Sequence, residues 1–248
     1  MRSPGIRNDS PDLASGCRPG ALVAGIFVVW VVIGSPLSTL DHALLTFHMV
    51  QHLLLMTIAA PLILLGTSPA VRRIGRSIAH PVSCWLAGTA VVVAWHVPAA
   101  HGLGMTSPGW HLVQQVTFLA GGLLFWWPIV NPGSISGKWD RSFAPVYLFL
   151  ATLPCDALSA FLAFCGRVVY PAHRSGHAHF GLSPLQDQEL AGALMWFWVT
   201  IAYLIPAVVI TIRMLSPSSR RVGPPVRLQL QRGIDGPVRR RLDTDLET

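Results

Sequence analysis

Six apolar stretches run through this 248-residue chain and leave few folds open to it. A helix needs roughly 20 predominantly apolar residues to cross about 30 Å of hydrocarbon. The stretches Ala21 to Leu37, Ala43 to Leu65, Ser83 to Val97, Leu112 to Val130, Phe143 to Phe164 and Leu190 to Ile212 meet or approach that length. The third is short, but Pro81, Val82, Pro98, Ala99 and Ala100 stand where they could extend it. Only 12% of the residues are charged, where a soluble domain carries about 25%. Lipid is therefore the expected solvent. Backbone polar groups in hydrocarbon must be satisfied within the spanning segment, so the expected fold class is all-α, a polytopic transmembrane bundle of about six spans over residues 21–212.

The formal charge of +7 raises nucleic acid as a partner, but a nucleic-acid binder gathers its Lys and Arg on one face or motif. Here they sit between the apolar runs, as a topology signal does. Placing the N-terminus in the cytoplasm puts sixteen of the eighteen Lys and Arg on the inner side and leaves only Arg167 and Arg174 outside. Both termini are then cytoplasmic, in a multi-pass protein of the plasma (inner) membrane. Arg2, Arg7 and Arg18 ahead of the first apolar run resemble a secretory signal. The run is followed by Ser35-Pro36-Leu37-Ser38-Thr39 instead of a small-residue cleavage pattern, so residues 1–20 are expected as a cytoplasmic segment before a retained helix. Residues 213–248, rich in Pro, Gly, Arg and Asp, are expected as a basic, mostly disordered cytoplasmic tail.

With orientation set by Lys and Arg alone, the histidines are an independent observation. Nine of ten, His42, His48, His52, His96, His101, His111, His173, His177 and His179, fall on the non-cytoplasmic side or in the outer half of a helix, and only His80 lies inside. His48 and His52 are one helical turn apart and share a face, as two ligands of one ion would. Met56 continues that stripe and Met49 stands three before His52. Imidazole with thioether suits copper, Cu(I) in particular, better than magnesium or calcium. His52 lies nine residues past Ala43, about 14 Å deep at ~1.5 Å per residue, where an ionisable group is expensive and functional by default. Helix-packing hydrogen bonds for the histidines and apolar filling for the methionines stay open as alternatives at this point.

Elsewhere, His96 follows Trp95 and His111 follows Trp110, each near the outer end of a span, as ligands or as interfacial anchors. Cys155 and Asp156 lie near the middle of the fifth span and point to a metal or proton path. The four cysteines, Cys17, Cys84, Cys155 and Cys165, show no CxxC or zinc spacing. The loop histidines 173, 177 and 179 are expected to be solvated.

Several of these stretches carry a resemblance. HMVQHLLLMTIAAPLILLG at His48 to Gly66, WHVP at Trp95 to Pro98, GGLLFWWPIV at Gly121 to Val130, YP at Tyr170-Pro171 and DQELAGALMW at Asp187 to Trp196 are similar to the CtaG-type cytochrome c oxidase assembly factors. The resemblance spans the second to sixth helices. It implies a non-enzymatic role in which copper reaches the oxidase subunit that carries copper B, with a cytochrome c oxidase subunit or a copper carrier as partner. It puts His48 and His52 forward as metal residues, His96 and His111 next. An HxxxH-like pair would place a second histidine shortly after His111, and this sequence has Gln115, which predicts an altered or smaller site.

The resulting expectation is an assembly factor that binds or hands over Cu(I) from the outer side. His48 and His52 would ligate it, His96 or His111 would complete the site, and Met49 or Met56 would supply a weak soft ligand. Asp187 and Glu189, at the start of the last span, would orient imidazoles from behind or stand as helix N-terminal charges. The alternatives are a copper or small-molecule transporter, which would show repeated halves or broken helices, and a haem enzyme, which would need deep histidine pairs on two helices. No nucleophile, phosphate loop or nucleotide fingerprint appears, so no enzyme is expected.

Overall fold

The computed structural model describes residues 18–35, 40, 42–68, 70–71, 80–131, 141–173 and 180–216. Asp41, Lys138, Arg174, His177 and His179, most of the N-terminal segment and nearly all of the tail lie outside the described residues. Two compact units are distinguished, Met1–Ile210 and Thr211–Thr248, and apart from the end of the last helix every residue discussed below belongs to the first. The described residues are helical with no strand. Seven helices follow in order: α1 Pro19–Gly34, α2 Leu45–Gly66, α3 Pro81–His96, α4 Pro98–Gly104, α5 Pro108–Val130, α6 Ala144–Phe164 and α7 Pro184–Leu215.

Proline opens five of the seven, where its missing N–H costs nothing and its fixed φ suits the first turn. Four helices, α2, α5, α6 and α7, are long and apolar enough to cross a membrane. A fifth span is available if the bent pair α3 and α4 counts as one, and α1 is a shorter apolar helix of 16 residues. Phe149, Phe164 and Phe197 turn outward with 62, 76 and 68% of their surface exposed. Rings that exposed on three positions of long apolar helices mark a surface wetted by lipid: this is a membrane protein.

Two local irregularities position the functional residues. The first corrects the expected extension of the third span: α3 ends at His96, and the chain turns by 83° into α4. Val97 adopts φ −66°, ψ 127°, the extended conformation that a following proline imposes, and Pro98 then starts α4. The second lies inside α2, where Leu54–Ala59 widens into a π-helical turn. Pro61 has no N–H to answer the carbonyl four residues back. The backbone adjusts by bonding Ala60 N–H to the Leu55 carbonyl, and the indole of Trp126 donates to the Met56 carbonyl at 3.0 Å. Such turns are frequent at functional sites. Gly122 of α5 packs here: a Cβ on it would stand 2.9 Å from Met56 Cα, so only glycine lets the two helices approach this closely.

The apolar half of the bundle centres on Phe125, Trp126, Tyr147 and Tyr203, with ring centroids 5.1–5.8 Å apart. Tyr147 donates its hydroxyl to the Phe125 carbonyl at 2.8 Å. The other half of the same bundle carries the histidines.

Candidate functional site

Helix α2 sets the site. His48 and His52, four residues apart, meet edge to face with centroids 4.3 Å apart and Nε2 atoms at 2.8 Å. One ring donates and the other accepts, so the Nδ1 atoms left over are one bare lone pair and one N–H. Both are buried, and among the described residues neither has a hydrogen-bond partner. His52 also lies flat on Phe118 of α5, 3.9 Å between centroids.

Three other segments close around this pair. The turn into α4 returns His101 to the interior, 2% exposed and 4.9 Å from His48, with Nε2 unpartnered among the described residues. A short 3₁₀ turn, Pro171–His173, presents His173 at 5.6 Å from His48 and 5.3 Å from His101. His111, on the first turn of α5, is 5.8 Å from His48, and His42, just before α2, is 5.3 Å from His111. Imidazoles thus run inward from exposed His42 through half-buried His111 to fully buried His48 and His52.

His96 stands apart from this group, and its state is fixed by its own helix. Its Nδ1 lies 2.7 Å from the Val92 carbonyl, which can only accept, so Nδ1 carries the proton and Nε2 is a lone pair. That nitrogen is buried with no hydrogen-bond partner among the described residues. A backbone carbonyl holding one imidazole nitrogen is how proteins orient the other toward a metal.

Of the methionines expected at the site, Met49 and Met56 are both buried. With His52, His96, Cys155 and Met195 they line a cavity of ≈ 30 Å³, room for one or two water-sized species. Cys155 faces this cavity and Asp156, the next residue, does not line it. Asp187 takes a part different from a carboxylate behind an imidazole. Helix α2 has no side-chain cap of its own, and Asp187 supplies one from α7: the Leu45 and Thr46 amides donate to its carboxylate at 2.7 and 3.1 Å, and the Thr46 hydroxyl at 2.7 Å. The charge does oppose a helix dipole, but that of α2 and not its own. Glu189 is half-buried and, among the described residues, makes no hydrogen bond to a histidine.

Among the described residues no three His, Cys, Asp or Glu side chains converge as a finished metal shell. The donors nonetheless fit a soft or borderline ion. Bonds of about 2.0 Å at a tetrahedral angle put two ligand nitrogens about 3.3 Å apart. The 2.8 Å between His48 and His52 is the hydrogen-bonded spacing of the same two nitrogens, about half an ångström shorter.

The sequence profile of the cytochrome c oxidase caa3 assembly factor family (Caa3_CtaG) matches residues 6–216. The chain belongs to that family. No curated protein and no solved structure matches it.

In this family member four of the five stretches that carried the resemblance converge on the histidines, and the fifth, GGLLFWWPIV, lies in the aromatic half. WHVP makes the bend that separates His96 from His101. Tyr170 of the YP pair donates to the His96 carbonyl at 2.7 Å and packs on His101 at 4.3 Å. In DQELAG, Asp187 anchors α2, while Gln188 anchors the loop before His173: its Nε2 donates to the Arg167 carbonyl at 2.9 Å and its Oε1 accepts from Val169 N–H at 2.6 Å. Gly192 follows, where a Cβ would meet the α6 backbone at 2.8 Å. Gln115, the departure from the HxxxH pattern, donates to Gln51 Oε1 at 2.7 Å and to His111 Nε2 at 3.1 Å. It therefore occupies one lone pair of His111.

Reasoning on the sequence missed His101, Met195 and Gln188, and it expected His173 to be solvated, whereas only 1% of it is exposed. The signal for His101 was present in Pro98, which requires the helix to break before it. Nothing in the loop composition separated His173 from its neighbours.

Proposed function

We propose that this assembly factor receives copper as Cu(I) at the histidine cluster and passes it to the copper-carrying subunit of the oxidase, from the non-cytoplasmic face of a six-span bundle with both termini in the cytoplasm. In this reading α1 and the α3–α4 pair each count as a span, and the bilayer is the plasma (inner) membrane. The observation that supports it is the graded run of imidazoles: His42 at the surface, His111 next, then His48 within 4.3–5.8 Å of four other rings. Burying several imidazoles that leave ring nitrogens unpartnered costs about 1–3 kcal/mol for each unsatisfied group. Apolar packing would avoid that cost, so the arrangement makes sense as a place kept for a cation. Rings this close together would let Cu(I) pass from one pair of nitrogens to the next. His48 and His101 would hold the ion with His52, and His111 and His42 would bring it in.

The test is the copper content of protein purified under reducing, copper-supplied conditions, beside His48→Ala/His52→Ala. The double variant is expected to lose affinity by at least the ~10–100-fold that changes around a metal ligand produce, and cells carrying it are expected to assemble oxidase short of copper B. Equal copper in both proteins would overturn direct binding. Reporter fusions at each terminus check the orientation, and copper uptake into proteoliposomes, expected to be absent, separates handover from transport.

A further inference from the structure

The cavity of ≈ 30 Å³ beneath the histidine cluster is chemically unlike the cluster itself. Met49 and Met56 of α2, Met195 of α7 and Cys155 of α6 line it, and His52 and His96 share the wall with apolar side chains such as Val92, Phe118 and Val199. Three methionines on one small cavity are ordinary apolar filling where nothing beside them can bind an ion. Here two imidazoles and a thiol share a mostly apolar wall, and the Nε2 of His96 is a buried lone pair with no partner among the described residues, its ring held by the Val92 carbonyl. Met56 sits in the π-helical turn whose carbonyl is tied to Trp126, so its position is set by backbone geometry and not by packing alone. The volume suits a desolvated ion and excludes a hydrated one.

We propose that this cavity is a second, deeper metal station selective for Cu(I), with Met49, Met56 and Met195 as thioether ligands and His52 or His96 as the nitrogen ligand. The proposal rests on the reading of the cluster as a copper site and adds a direction to it. Thioether ligands favour Cu(I) strongly and offer little to Zn(II) or Cu(II), which take imidazole. His52 belongs to both sets: its Nε2 meets His48, and its ring lines the cavity. An ion moving inward therefore leaves imidazole for sulfur one ligand at a time. His96 is likewise shared among the described residues, since it also lines a larger cavity of ≈ 390 Å³ with Arg167 and Tyr170. The deep station thus has two histidine doors, one toward the cluster and one toward this second mouth.

The experiment titrates full-length protein in detergent, anaerobically, with Cu(I) against a colorimetric chelator, and in parallel with Zn(II), followed by copper K-edge absorption. Wild type is expected to bind about two Cu(I) with sulfur scattering, but about one Zn(II). Met56→Leu/Met195→Leu conserves volume and is expected to fall to about one Cu(I), lose the sulfur signal and keep Zn(II). His48→Ala/His101→Ala, which leaves the cavity lining intact, is expected to keep one sulfur-bound Cu(I) and lose Zn(II). Two Cu(I) retained in the methionine variant, or no sulfur scattering in wild type, would overturn the deep station and leave the histidine site standing. A wild type holding a single sulfur-bound Cu(I) that the histidine variant does not disturb would overturn the cluster reading and keep the cavity.

Discussion

The two halves of this bundle solve the burial of polar groups in opposite ways. In the aromatic half, Tyr147 and Trp126 give their donors to backbone carbonyls at 2.8 and 3.0 Å. The groups left over nearby, the indole N–H of Trp85 and Trp127 and the Asn131 amide nitrogen, are donors only and cannot bind a cation. In the histidine half, ring nitrogens of His48, His52, His96 and His101 are buried without partners among the described residues, and the His96 Nε2 is a lone pair by construction. Leftover groups that only donate in one half, and leftover ring nitrogens in the other, the His96 lone pair among them, separate a scaffold from a candidate site. Stability is drawn from the first, and the second is held in shape from outside by Asp187, Gln188 and Tyr170.

The contrast is broken most severely at Asp187, which belongs to the scaffold but serves the candidate site. Three donors at the start of α2 converge on its carboxylate, and hydrogen bonds to charged groups contribute ~1.5–3 kcal/mol each, less than additively. Asp187→Ala is expected to cost about 3 kcal/mol, a fall of roughly 6–12 °C in Tm for a unit of this size, together with loss of bound copper. Asp187→Asn keeps one acceptor and should lose about half as much. If Asp187→Ala unfolds at the wild-type temperature yet loses its copper, the residue acts on the metal and not on the helix.

A pair of single substitutions sharpens the comparison at about 1 kcal/mol. Tyr147→Phe removes one satisfied hydrogen bond, worth ~0.5–1.5 kcal/mol, and is expected to lower Tm while copper retention is unchanged. His101→Phe keeps a ring against Tyr170 and removes an unpartnered nitrogen, so stability should hold within about 1 kcal/mol or rise, while copper retention falls at least tenfold. Thermal unfolding and metal content on the same samples read both. Matching effects of the two variants would erase the distinction between the halves.

Legibility in the sequence follows the same division. Apolar length exposed the helices of the scaffold because lipid demands it of every span, and the His48/His52 pair was readable because a helix repeats its face every four residues. What stayed hidden depends on chain reversal. His101 reaches His48 only because Val97-Pro98 bends the chain by 83°, His173 arrives on a loop, and Met195 joins Met49 and Met56 from a helix some 140 positions later. Asp187 was noticed as a charge at a helix start, but which helix it caps is a tertiary fact with no trace in local spacing.

The smallest expected effect concerns Gln115, where the sequence departs from an HxxxH pair. Its amide donates to His111 Nε2, so under the proposed function His111 would meet copper with its lone pair already engaged. His111→Ala is therefore expected to weaken Cu(I) binding only a few-fold, about 1 kcal/mol or less, well below the effect of His101→Phe. Gln115→Leu releases the ring, and His111→Ala made in that background should then cost about tenfold. The coupling between the two positions, obtained from a double-mutant cycle of chelator-competition affinities, should be about 0.5–1.5 kcal/mol. A coupling of zero would mean that Gln115 does not hold His111 back, and that His111 serves the path from His42 without ever joining the site around His48.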